Sequence, residues 1–181
     1  KDAETDLGNT KAQAQDLKSE IDLLLDGEKS RKIQKADELL GELDRQLADL
    51  DDMKKDCLRK LQKYNDMIAD AKASEGQNDP QLMNLLKRLE KEAGQIGDQL
   101  KDITIKEDDL KKKREDAKEM IDDAYANPEN YNPQQIDAVA DNISELNEKA
   151  KGHNEKVDKI DKDLDRRIEE LANLLSASNT T

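Results

Sequence analysis

Tryptophan and phenylalanine are absent from this chain of 181 residues, and Tyr64, Tyr125 and Tyr131 are its only aromatic side chains. Without bulky rings, and with 34% hydrophobic against 41% charged residues, it has too little apolar volume for the core of a globular enzyme. Cys57 is the single cysteine, so no internal disulfide can form, and one unpaired thiol fits a reducing, intracellular compartment better than secretion. His153 is the single histidine, and with one cysteine it cannot assemble a zinc site. No apolar run reaches the roughly 18 residues of a membrane-spanning helix, and the first residues, KDAETDLGNT, look nothing like a signal peptide. Acidic residues outnumber basic ones by 44 to 31, and the net charge of -13 argues against binding to nucleic acid or anionic lipid.

The chain does carry a sustained apolar rhythm in alternating steps of four and three. It is clearest between Asp79-Pro80 and Asn127-Pro128, at Leu82, Leu86, Leu89, Ala93, Ile96, Leu100 and Ile103, then at Leu110, Ala117, Ile121 and Ala124. Such spacing is the seam of a helix that packs along its whole length. About 45 helical residues would span roughly 68 Å at 1.5 Å per residue, too long a helix to be stable without neighbours. The flanking chain supplies them. One stretch runs from Ile33 and Ala36 through Leu50, Cys57 and Tyr64 to Ala71, and another from Ile136 through Ala150, Val157 and Leu164 to Leu175. Disorder, the other reading of so charged a sequence, does not account for three segments of matched heptad spacing.

The sequence therefore predicts an all-α fold: an elongated antiparallel three-helix bundle with left-handed heptad packing over residues 28–176, its helices at about 30–74, 80–126 and 133–176. Asp79 before Pro80 and Asn132 before Pro133 place a capping side chain ahead of a proline at the first helical position, where no N–H is needed. Residues 177–181 are expected to fray. An extra N-terminal helix over residues 1–27 repeats the rhythm at Ala3, Leu7, Thr10, Ala14, Leu17, Ile21 and Leu24. Gly27 follows it, and the phase shifts there. Two arrangements are open: a helix continuous with the first bundle helix, or one folded back as a partial fourth helix. Asp26-Gly27 is short for a hairpin, and glycine inside a helix costs only about 1 kcal/mol, which favours continuity.

Three polar residues fall on seam positions: Glu107 and Arg114 in the middle helix and His153 in the last. Counting both ways from a turn at Asn130 sets Glu107 opposite His153, with Ala48 and Leu47 facing the same level from the preceding helix. The bland reading is that Glu107 and Arg114 reach solvent from a narrow seam. The sharper reading is a buried polar layer in which Glu107 and His153 pair and fix register. Catalysis by this pair is not expected, because no nucleophile, oxyanion loop or water-excluding cleft accompanies it. Counting from Gly76 likewise sets Gly94 and Gly97 near Cys57 and Leu58, where glycine would permit close approach.

Other clusters have ordinary readings. Lys111-Lys112-Lys113-Arg114 resembles a nuclear-localisation or phosphate-binding run, yet it sits among Glu107, Asp108, Asp109, Glu115 and Asp116, as on a solvated helix face. Asp158, Asp161, Asp163 and Asp165 lack the central glycine and terminal glutamate of a calcium loop. No cofactor, metal or small-molecule substrate is expected.

A helix entering from outside, followed by three long heptad-bearing helices joined by short turns, resembles the spectrin-like repeat of rod-forming cytoskeletal linkers. The lack of tryptophan in the first helix and the helix lengths place the likeness with divergent repeats of giant linkers, such as nuclear-anchorage proteins related to nesprins, or the plakins. The resemblance implies a mechanical spacer rather than an enzyme, cytoplasmic and cytoskeletal, at the nuclear envelope through its parent protein. Its partners would be other repeats of the same chain or helical proteins. The alternative is a coiled-coil oligomerisation or adaptor module that binds a partner helix.

Overall fold

In the computed structural model, which describes residues 2–179, the chain is all-helical with three long helices and no strand among the described residues. Helix α1 spans Asp2–Ala73, α2 Pro80–Ala126 and α3 Pro133–Asn179. Short 3-10 turns, Glu75–Asn78 and Pro128–Asn130, occupy the connections.

α1 passes through Gly27 without a break, so no fourth helix folds back. The first proline in the chain is Pro80, and nothing before it removes a backbone donor. α1 ends at Ala73, where the Ser74 hydroxyl donates to the Asp70 carbonyl at 2.8 Å and competes with further helix. α2 opens on an N-cap: Asp79 Oδ1 accepts from the backbone N–H groups of Gln81 and Leu82, each at 3.1 Å. α3 opens on a reciprocal box, in which Gln135 N–H donates to Asn132 Oδ1 at 2.8 Å and Asn132 N–H donates to Gln135 Oε1 at 2.9 Å. The tail expected to fray at 177–181 is helical as far as Asn179; its last two residues lie outside the described ones.

The chain divides into two compact units, each built from stretches of all three helices. One comprises Lys1–Glu42 and Lys113–Leu146, the other Leu43–Lys112 and Asn147–Thr181. The first buries Ile33, Ala36 and Leu40 of α1, Ala117, Ile121 and Ala124 of α2, and Ile136, Ile143 and Leu146 of α3. Lys32 Nζ meets Asp137 Oδ2 at 2.7 Å, an ion pair from α1 to α3 at its rim.

The second unit holds the larger apolar cluster. Leu50, Cys57, Leu61, Tyr64, Ile68 and Ala71 of α1 pack with Leu82, Leu86, Ala93, Ile96, Leu100 and Ile103 of α2 and Val157, Leu164 and Leu171 of α3. Burying each leucine or isoleucine contributes roughly 1.5–3 kcal/mol, so a seam one or two side chains wide suffices. Here α1 and α2 run antiparallel, as the Lys72–Glu90 pair at 2.6 Å and the Lys54–Glu107 pair at 2.6 Å require. α1 and α3 run parallel, with Lys60 reaching Asp161 and Asp165, each at 2.9 Å.

The register of α1 against α2 differs from the one counted from Gly76. Gly76 is not the apex of the turn. It is buried alongside α2, and a Cβ there would lie 3.2 Å from both the Ala71 carbonyl oxygen and Leu86 Cδ1. The 3-10 turn thus climbs beside the start of α2, the reversal falls at Asp79-Pro80, and α2 shifts by nearly two turns relative to the count. As a result Gly97 faces Leu61, with 3.6 Å from its would-be Cβ to Leu61 Cδ2, and Gly94 faces open space. Ala48, expected at the polar level, is exposed.

Candidate functional site: a buried charge cluster and an exposed helical segment

Glu107 is completely buried on α2, so it does not reach solvent. It does not pair with His153 either. Its partners come from the other direction: Lys54 Nζ of α1 lies 2.6 Å from Oε2, and Lys111 Nζ, one turn along α2, lies 3.0 Å from Oε1. The register shift at Gly76 is what brings Lys54 to this height. Lys54 also donates to Thr104 Oγ1 at 3.0 Å, and that hydroxyl donates to the Leu100 carbonyl at 2.9 Å. Lys111 Nζ sits 3.3 Å from Asp51 Oδ2, which closes the cluster at the surface. Both Glu107 oxygens are shut off from water, and the close contacts with Lys54 and Lys111 offset that loss. The Asp51 carboxyl is held below its ordinary range, first by its hydrogen bond with the Glu107 carboxyl and then by the ammonium groups of Lys111 and Lys54.

His153 is partly buried, with Asp102 and Lys106 of α2 among the charges that act on it. Partial burial lowers its pKa, and Lys156, Lys106 and Lys149 lower it further against the opposing charge of Asp102. Arg114 belongs to the first unit, where it is half-buried and pairs with Glu115. Glu107 and His153, both in the second unit, thus have different partners. A face pattern fixes which residues turn inward, but not which neighbour each one meets.

Sequence reasoning missed a second polar group. Arg167 of α3 donates to Glu92 Oε2 of α2 at 2.7 Å and to Asp163 Oδ2 at 2.8 Å. Burial opposes the Arg167 charge, but these carboxylates outweigh it and raise the pKa; burial raises that of the adjoining Tyr64. The signal was Arg167 four residues after Asp163, an i,i+4 pair hidden in a charged run. Tyr64, Glu92 and Arg167 line a groove of about 300 Å³. The acidic series on α3 is likewise occupied by cations: Asp158 pairs with Lys162, Asp161 and Asp165 with Lys60, and Asp163 with Arg166 and Arg167. Among the described residues no group of three or more His, Cys, Asp or Glu is placed to hold a metal ion. Cys57 is fully buried, and burial followed by the charge of Asp161 pushes its thiol up to about 12.

The most exposed apolar surface lies at the other end of α1. Every residue from Asp2 to Gly27 is exposed, including Leu17 at 57% and Leu24 at 73%. These side chains keep the seam spacing of a packed helix, yet no other helix covers them. No helix among the described residues is long and apolar enough to cross a membrane. In comparisons with protein-family models, curated proteins and solved structures, nothing matches the chain.

Proposed function

We propose that this chain is a structural spacer: a divergent spectrin-like three-helix repeat of a cytoskeletal linker that transmits force along its helices and offers helical faces to other proteins. The observation that carries this reading is the continuity of α1. One unbroken helix carries an exposed segment with a seam-like apolar stripe and contributes a stretch to each packed unit. In a rod of such repeats, that segment would couple one repeat to its neighbour. Further support comes from the chemistry of the groups on the page. The buried Cys57 thiol is pushed up to about 12, and Asp158, Asp161, Asp163 and Asp165 of α3 are paired with cations, which suits a structural role. A cytoplasmic, cytoskeletal setting, at the nuclear envelope through a parent protein, belongs to the same proposal.

Stretching single molecules between the two chain ends tests it. The spacer should extend in discrete steps at low force and refold in every relaxation cycle, since helical bundles rich in local contacts fold in micro- to milliseconds. Loss of refolding after the first extension would defeat the spacer reading. The second reading, a module that binds a partner helix, is favoured specifically by the exposed apolar stripe before Gly27.

A further inference from the structure

We infer that residues 2–27 form a parallel, in-register two-stranded coiled coil with the same segment of a second copy of this chain. The inference deepens the proposed coupling role of this segment by naming its partner.

The argument rests on the stripe and the charges beside it. In heptad terms Leu7, Ala14 and Ile21 occupy a, and Ala3, Thr10, Leu17 and Leu24 occupy d. Isoleucine at a with leucine at d over the last two turns favours two strands. The whole stripe is exposed, and α1 presents it without a break, so a second helix can lie along it.

The flanking charges choose the occupant and its direction. Position e carries Glu4, Lys11 and Lys18, while g carries Asp6, Gln13 and Glu20; in a parallel pair Glu4 has no g residue of the segment opposite it. A parallel partner sets each g beside the e residue five places on in the other chain. Asp6 then meets Lys11 of the second copy and Gln13 meets its Lys18, twice over by symmetry. An antiparallel partner overlapping the segment along its length sets e against e and g against g, which brings Lys11 to Lys18 and Asp6 to Glu20, with Glu4 against Leu25. The segment is therefore complementary to itself in one direction only. Leu25 lies at e beyond Lys18 and extends the apolar strip where Glu20 has no cation opposite.

Sedimentation equilibrium of the full chain from about 1 µM to about 1 mM should show a monomer–dimer equilibrium; so short a coiled coil is expected to be weak. Leu17→Glu with Ile21→Glu should abolish the dimer. These positions are exposed, so the helicity and melting of the packed units should not change. Lys11→Glu with Lys18→Glu should weaken association at least tenfold, as should Asp6→Lys with Glu20→Lys. Mixing the two charge variants should restore it as a heterodimer. Thr10→Cys tests direction, because only a parallel in-register pair sets position 10 beside itself, and Cys57 is buried and does not compete. A monomer at every concentration, or a dimer that survives Leu17→Glu with Ile21→Glu, overturns the inference. So does a dimer in which Thr10→Cys forms no crosslink. None of these outcomes affects the spacer reading, which stands or falls on refolding under load.

Discussion

Lys54 of α1 meets Glu107 of α2 at 2.6 Å, with only 12% of the lysine side chain and none of the glutamate exposed. The pair ties two antiparallel helices at a single height. A slip of one turn would take Lys54 away and leave the buried carboxylate with only Lys111 of its own helix, so the pair favours one register.

Removing one member should be costlier than removing both. Lys54→Met leaves Glu107 with only the half-exposed Lys111, and should destabilise the fold by about 3 kcal/mol in urea unfolding. Lys54→Met with Glu107→Leu should recover most of that loss, to within about 1 kcal/mol of the parent. Equal losses in the single and double variants would show that the cluster is not an isolated charge pair.

His153 should make the fold sensitive to mild acid. Its pKa is lowered on folding, so the unfolded chain takes up a proton more readily. The associated stability is present above the ordinary histidine value of about 6.5 and is lost as pH falls below it towards the folded value. Lys106 of α2 and Lys149 and Lys156 of α3 oppose the added charge, and Asp102 offsets them in part. His153→Gln should therefore reduce the drop in melting temperature between pH 7.5 and pH 5.5, as read by circular dichroism. An unchanged drop would assign the acid sensitivity elsewhere.

Cys57 should be inert in the folded chain. Its thiol is pushed up to about 12 and is buried within the larger apolar cluster. An aromatic disulfide reagent at pH 8 should label none of it in buffer within minutes, and all of it in urea. Rapid labelling in buffer would mean that the second unit opens far more often than its packing implies.

Two glycines should respond in opposite senses. Gly94 faces open space in mid-helix, so Gly94→Ala should stabilise by about 1 kcal/mol through helix propensity alone. Gly76 is pressed between the Ala71 carbonyl, Leu86 and Met83, and Gly76→Ala should lower the melting temperature by forcing the connection away from α2. Paired thermal melts decide this. A neutral Gly76→Ala would mean that the turn can move aside without cost.

By itself the sequence determined the helices and most of their inward faces. The alternation of Leu82, Leu86, Ala93, Ile96 and Leu100 is a property of one helix and needs no partner to be read. The starts at Pro80 and Pro133 were legible for the same reason, since a cap and a proline act on their own backbone. The inward direction of Glu107 was legible too. Only the tertiary structure decided that Lys54 rather than His153 stands against it, that α1 passes straight through Gly27, and that Arg167 ties α3 to Glu92. The two cross-helix pairs depend on the rise and rotation of one helix against another. That offset goes with Gly76 packing beside α2, a contact of the turn's backbone with Leu86 and Met83 that local spacing does not encode.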